Sequence, residues 1–123
     1  MVHFVESSSK AADLIRQNLK SLGVNSGAQV LSQNVGRSLR ALEELGVAAG
    51  FVFLDPPYSM EAEYTQTLAS LAYSSLVQAQ TVIVAEHEKR FDLGEAFGTL
   101  QRYRKLVQGD AALSFYRRHI AGN

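Results

Sequence analysis

A chain of 123 residues, 46% hydrophobic and 20% charged, is sized for one compact domain that buries about two thirds of the surface its unfolded form exposes. It has no apolar stretch near the roughly 20 residues of a membrane-spanning helix, and no cysteine, which excludes disulfides, thiolate zinc sites and a cysteine nucleophile. Lysines and arginines balance the acids at a net charge of zero, but unevenly, with a basic end and an acidic remainder.

The opening Met1-Val2-His3-Phe4-Val5-Glu6 lacks the basic and long apolar regions of a secretory leader, and a cytoplasmic, non-membrane protein is expected. Val2 to Val5 reads as a short strand. Ser7, Ser8 and Ser9 then offer N-caps to a helix in which Ala11, Ile15, Leu19 and Leu22 recur at helical spacing, with Gly23 as its stop. A strand from Gln29 to Gln33 leads through Asn34-Val35-Gly36 into a second helix, with Leu39, Leu42 and Leu45 inward and Gly46 closing it. Phe51-Val52-Phe53-Leu54 and Val82-Ile83-Val84-Ala85 are apolar at every position, the pattern of parallel strands covered on both faces. Between them, residues 60–75 predict an amphipathic helix with Tyr64, Leu68 and Leu71 inward. Leu100 to Val107 and Ala111 to Tyr116, broken at Gly109-Asp110, predict an antiparallel hairpin. The fold class expected is therefore α/β, a mostly parallel Rossmann-like sheet that ends in an antiparallel hairpin. His3, His87 and His119 are too dispersed for a metal motif, and no metal is expected. The tail from residue 99 onward carries five Lys/Arg against one Asp. Arg102, Arg104, Lys105, Arg117 and Arg118 there are a candidate phosphate-binding patch, the alternative being a solvated basic face.

The feature that carries chemistry is Asp55-Pro56-Pro57-Tyr58, directly after the apolar strand and holding both prolines of the chain. In open α/β sheets ligands bind beyond the carboxyl ends of the strands, which puts this tetrapeptide at a site rim. Two prolines stiffen the loop and have no N–H, so their carbonyls are left as fixed acceptors. An exocyclic amine on a base is a poor nucleophile because its lone pair is drawn into the ring. The Asp55 carboxylate and the Pro56 carbonyl could each accept one of its N–H groups, aiming the nitrogen at a methyl donor and stabilising the charge that develops. Tyr58 offers a face on which a base drawn out of its helix can stack. The plainer reading is a proline-stiffened turn between a strand and a helix.

Strand, Asp-Pro-Pro-Tyr and helix together resemble the fourth motif of amino-group methyltransferases. Within them the chain is similar to the RsmD-like ribosomal RNA (guanine-N2) methyltransferases, through Phe4-Val5-Glu6, Ile15 to Leu19, Val52 to Tyr58, Val82 to His87 and Gly109 to Arg118. The resemblance implies S-adenosylmethionine as cofactor and guanine in small-subunit ribosomal RNA as target. It makes Asp55, Pro56 and Tyr58 catalytic, and gives Pro57, Arg117 and Arg118 to the substrate. It makes Glu6 the acid for the cofactor ribose hydroxyls, and points to Asn34 and the Val35 backbone for the adenine. An acid near a helix start and an asparagine in a turn are the ordinary readings of Glu6 and Asn34. The family also begins with a strand and a Gly-rich turn that nothing in residues 1–123 matches, since Gly23, Gly27 and Gly36 do not follow strands in a G-x-G pattern. The chain is thus expected to be an incomplete methyltransferase domain lacking the central first strand, with a separate N-terminal peptide or second chain as a candidate complement. Two other functions fit the motif: amino methylation of a DNA base or a protein glutamine, and a noncatalytic fragment that keeps the fold and an RNA face.

Overall fold

The structure is a computed structural model and describes residues 1–6, 8–55 and 61–119. The chain divides into two compact units, Met1–Glu44 and Leu45–Asn123.

The first unit is β1 (Val2–Val5), α1 (Ser9–Ser21), β2 (Ala28–Leu31) and α2 (Val35–Glu44). β1 and β2 pair in parallel, from Val2 beside Ala28 to Val5 beside Leu31, with α1 as the crossover such a pair needs. Of the three serines, Ser8 is the cap: its hydroxyl accepts from the Ala11 amide at 3.2 Å. At the other end Gly23, at φ 75°, turns the chain so that its own amide reaches Lys20 O at 3.0 Å and the Val24 amide reaches Leu19 O at 2.8 Å. Those paired bonds satisfy carbonyls that the helix end would leave open. The inward face differs slightly from the sequence pattern, with Ala12 buried and Leu22, at the cap, 76% exposed. In α2 Leu42 is buried, while Leu45 falls beyond the last turn and is exposed.

The second unit contains β3 (Ala49–Leu54), α3 (Glu61–Leu71), β4 (Val77–Glu88), β5 (Ala96–Phe97), β6 (Leu100–Gln108) and β7 (Ala111–Arg118). Its sheet order is β3-β4-β7-β6-β5. β3 and β4 are parallel and the remaining pairs antiparallel. The fold class is the expected one, α/β with a closing hairpin turned at Gly109 (φ 60°). Tyr64, Leu68 and Leu71 of α3 are all buried, as their spacing predicts, and so are Ile83, Ala85 and Tyr116 of the sheet. Tyr64 also donates its hydroxyl to Glu86 O at 2.6 Å.

Two expectations are corrected. β4 begins five residues before Val82, because Thr81 Oγ1 accepts from the Gln78 amide at 2.8 Å and donates to Ala49 O, tying a polar stretch into the sheet. β3 is not covered on both faces: Phe51 is 61% and Phe53 51% exposed, while Val52 and Leu54 alternate with them half-buried. Among the described residues β1 has a neighbour only in β2, and β3 only in β4.

Candidate functional site

Parallel pairing sets the carboxyl ends of β1 and β2 side by side, with Glu6 just beyond the first and Asn34 three residues beyond the second. The Glu6 amide extends the ladder to Leu31 O at 3.0 Å, and its carboxylate accepts the Ser8 amide through Oε1 at 3.0 Å. One oxygen is held at the start of α1, where the helix dipole favours a negative charge, and among the described residues Oε2 makes no hydrogen bond. Asn34 is the N-cap of α2: Oδ1 accepts from the Arg37 amide at 2.8 Å and its carbonyl from the Ser38 amide at 3.0 Å. Both residues therefore carry the ordinary roles read from sequence, while a carboxylate oxygen and an amide Nδ2 remain chemically suited to a ribose hydroxyl and an adenine acceptor. Val35 is the first residue of α2.

In the second unit Asp55 is exposed and follows the last residue of β3. Leu54 lies beside Ala85, which puts Asp55 level with Glu86 at the carboxyl edge of the parallel pair. Pro56, Pro57 and Tyr58 lie outside the described residues.

Arg117 and Arg118 are adjacent in sequence and opposite in role. The Arg118 guanidinium donates to Val77 O (2.9 Å), Ala72 O (2.7 Å), Ser74 O (2.9 Å) and Thr99 Oγ1 (2.6 Å). It binds the chain leaving α3 to the start of β4 and is fully engaged within the fold. Arg117 is exposed, and its guanidinium lies 4.4 Å from the centre of the Tyr103 ring. Tyr116 pairs with Ile83, so Arg117 is level with Val82, four residues back from the level of Asp55. That is roughly 13 Å along the strands and about 10 Å across two strand spacings. The two do not meet. Basic side chains nearer the rim are Lys89 and Arg90, just past β4, where the Lys89 amide bonds Asp110 O at 2.7 Å. Arg90 Nε stands 3.0 Å from Glu88 Oε2. Sequence reading passed them over because they lie outside the basic tail.

Sequence reading also missed a buried pair. His87 accepts the Ser114 hydroxyl at Nε2 (2.8 Å) and donates from Nδ1 to Glu88 O (2.9 Å), the only tautomer compatible with a carbonyl partner. Burial holds its pKa below the ordinary 6.5. A lone histidine in an apolar strand gives no signal of this. Among the described residues no group of three or more His, Cys, Asp or Glu could hold a metal, and no helix is long and apolar enough to cross a membrane.

A parallel β-α-β unit with an acid past its first strand, and a second parallel pair that presents an aspartate at its carboxyl edge, define a Rossmann-like fold of the methyltransferase type. The chain belongs to the family described as "Conserved hypothetical protein 95", whose profile matches residues 1–117; this is the RsmD-like family of the resemblance. It is 30% identical over 115 residues to the Bacillus subtilis (strain 168) protein named "Putative rRNA methyltransferase YlbH", covering 94% of this chain and 62% of that one. The chain thus spans less than two thirds of that relative's length. A Streptococcus pyogenes structure described as a conserved hypothetical protein superposes with a TM-score of 0.78 at 25% identity, covering 95% of this chain and 71% of the other. A structure described as "SMU.776, a putative methyltransferase complexed with SAH" shares the fold, with a TM-score of 0.68 at 10% identity and coverage of 94% and 39%.

Proposed function

We propose that this chain forms part of a cytoplasmic S-adenosylmethionine-dependent N-methyltransferase that modifies the exocyclic amine of a guanine in small-subunit ribosomal RNA. The observation that carries the reading is Asp55 at the carboxyl edge of a parallel strand, opening the sequence Asp55-Pro56-Pro57-Tyr58. Support comes from the rRNA methyltransferase named among its relatives, and the bound SAH of a structure with the same fold bears on the cofactor.

The cofactor supplies an activated methyl group when bound. Glu6 holds its ribose hydroxyls through the carboxylate oxygen not used at the start of α1, and Asn34 with the Val35 backbone meets its adenine. Asp55 and the Pro56 carbonyl accept the two N–H groups of the target amine, which fixes the nitrogen's direction and stabilises positive charge as it becomes tetrahedral. Tyr58 stacks on the base and Pro57 keeps the loop rigid beneath it. The exposed carboxylate of Asp55 leaves a path to water for the departing proton.

Transfer of a tritiated methyl group to undermethylated ribosomal subunits tests this in the full-length enzyme. Asp55→Ala is expected to lower turnover on the order of 10²-fold with the fold intact, and Asp55→Asn, whose amide oxygen still accepts, to lose less. Near-normal turnover by Asp55→Ala would remove the aspartate from the mechanism. Free guanine-containing DNA or a protein methylated in place of the RNA would change the substrate.

A further inference from the structure

Residues of β7 alternate between two environments. Ala112, Ser114 and Tyr116 are buried, on the face where Tyr64 of α3 stands edge-on to His87 and His87 bonds Ser114. Leu113, Phe115 and Arg117 therefore point to the opposite face. β6 contributes to that face in an irregular way. Arg102 pairs with Tyr116 and Arg104 with Phe115, so Tyr103 is the extra residue of a bulge. A bulge re-aims a side chain at the cost of local pairing. Here it turns the Tyr103 ring towards Phe115, at 6.2 Å between centroids and tilted by 59°, and under the Arg117 guanidinium at 4.4 Å. Arg104 sits 5.8 Å from the Phe115 ring, so two cations and two rings alternate on one surface.

The arrangement has the two properties a nucleotide needs. Tyr103 is 43% exposed. Among the described residues no carboxylate or carbonyl is bonded to Arg117, so its planar fork is available for phosphate while its face stays ordered on the ring. Gln101, Tyr103, Arg117 and His119 line an open groove of about 560 Å³ beside it. Glu95, ahead of β5, lies 4.0 Å from Arg102.

We propose that this face binds a single-stranded RNA segment, one base stacking on the Tyr103–Arg117 pair and the adjoining phosphate taking the Arg117 and Arg104 cations. The inference rests on the RNA reading above and deepens it: the segment held here is not the target nucleotide, because Asp55 is four residue levels away along the sheet. Unpaired rather than duplex RNA is selected, since a base inside a helix has no free face to offer.

Fluorescence anisotropy with an unstructured oligoribonucleotide, and with the same strand in a duplex, tests the proposal on this chain and its full-length form. Tyr103→Phe is expected to bind within about twofold of the parent, and Tyr103→Ala about tenfold more weakly, because the ring face makes the contact. Arg117→Gln, at an exposed position that leaves folding unaffected, is expected to weaken binding and to reduce the salt slope by about 0.7 to 1. Tyr103→Ala binding like the parent, or duplex bound as tightly as single strand, overturns the proposal. So does self-association abolished by Tyr103→Ala at unchanged RNA affinity, which would give the face to protein packing. Failure here with Asp55→Ala still inactive in methyl transfer leaves the catalytic reading standing.

Discussion

Protonation of His87 opposes the fold. The ring is buried, so desolvation depresses its pKa, and the nearby Lys105 and Arg102 charges depress it further against the raising effect of the Glu88 and Phe91 backbone bonds. A second ring proton would also take from Nε2 the lone pair that accepts the Ser114 hydroxyl. In the unfolded chain the ring titrates near its ordinary 6.5. Below that pH the unfolded state takes up a proton that the folded state resists, and stability follows the difference in bound protons. The contribution of neutral His87 is therefore complete above about pH 6.5 and is lost as the pH falls towards and through the depressed folded value. His87→Gln is expected to be less stable at neutral pH and to lose less on acidification. Urea midpoints at about pH 7.5 and about pH 5.5 measure both effects. Parallel pH profiles in parent and variant would show that other groups set the acid sensitivity.

At the scale of elements, one arginine does for the end of α3 what Gly23 does for the end of α1. Ala72, Ser74 and Val77 present carbonyls that lie beyond regular helix and sheet bonding, and Arg118 satisfies all three. Arg118→Met keeps the length of the side chain but removes the guanidinium donors, leaving Ser74 O only the Val77 amide and Ala72 O only the Thr99 hydroxyl, and is expected to destabilise by about 2–4 kcal/mol. Arg117→Gln, next to it, should stay within about 0.5 kcal/mol. Thermal unfolding of the two variants separates the roles, and equal losses would refute the division. The same pair marks the limit of what sequence could tell. Strand alternation distinguishes which of two neighbouring arginines faces inward only when the register is known, and Tyr103, as a bulge residue, disturbs that alternation across the partner strand. The features that were legible are those with local causes: Ser8 and Gly23 bounding α1, the inward stripe of Tyr64, Leu68 and Leu71, the turn at Gly109, and Asp55 at a strand end. Those that were not depend on distant partners. The early start of β4 rests on Thr81 reaching Ala49 O, thirty-two residues away along the chain. The exposure of Phe51 and Phe53 depends on what else covers β3, which an apolar run cannot report.

On the scale of the whole molecule, β1 and β3 each have a neighbour on one side only among the described residues. A strand edge with unpaired amides and carbonyls is a template for another chain, and the two exposed phenylalanines add apolar area beside it. The family resemblance supplies the occupant we propose, a strand carrying the Gly-rich turn, and without it cofactor binding by this chain is expected to be weak. Sedimentation velocity should show concentration-dependent self-association that Phe53→Lys reduces, with little change in melting temperature because the side chain is 51% exposed. A parent that stays monomeric at high concentration and does not bind an apolar dye would mean that β3 is already covered. The strand order β3-β4-β7-β6-β5 has a further effect, on synthesis. β7, the last of these strands in chain order, lies between β4 and β6, so until it is made the β3–β4 pair and the β5–β6 pair have no ladder joining them. The β6–β7 hairpin can close locally, but pairing β4 with β7 must bring Ile83 to Tyr116 across a loop whose closure entropy opposes it until late. A nascent chain halted before Ala111 would hold the β3–β4 pair and the β5–β6 pair as two unjoined pieces with apolar faces open, a form for chaperones and proteases. Premature termination near the end of this domain should therefore abolish the protein rather than shorten it.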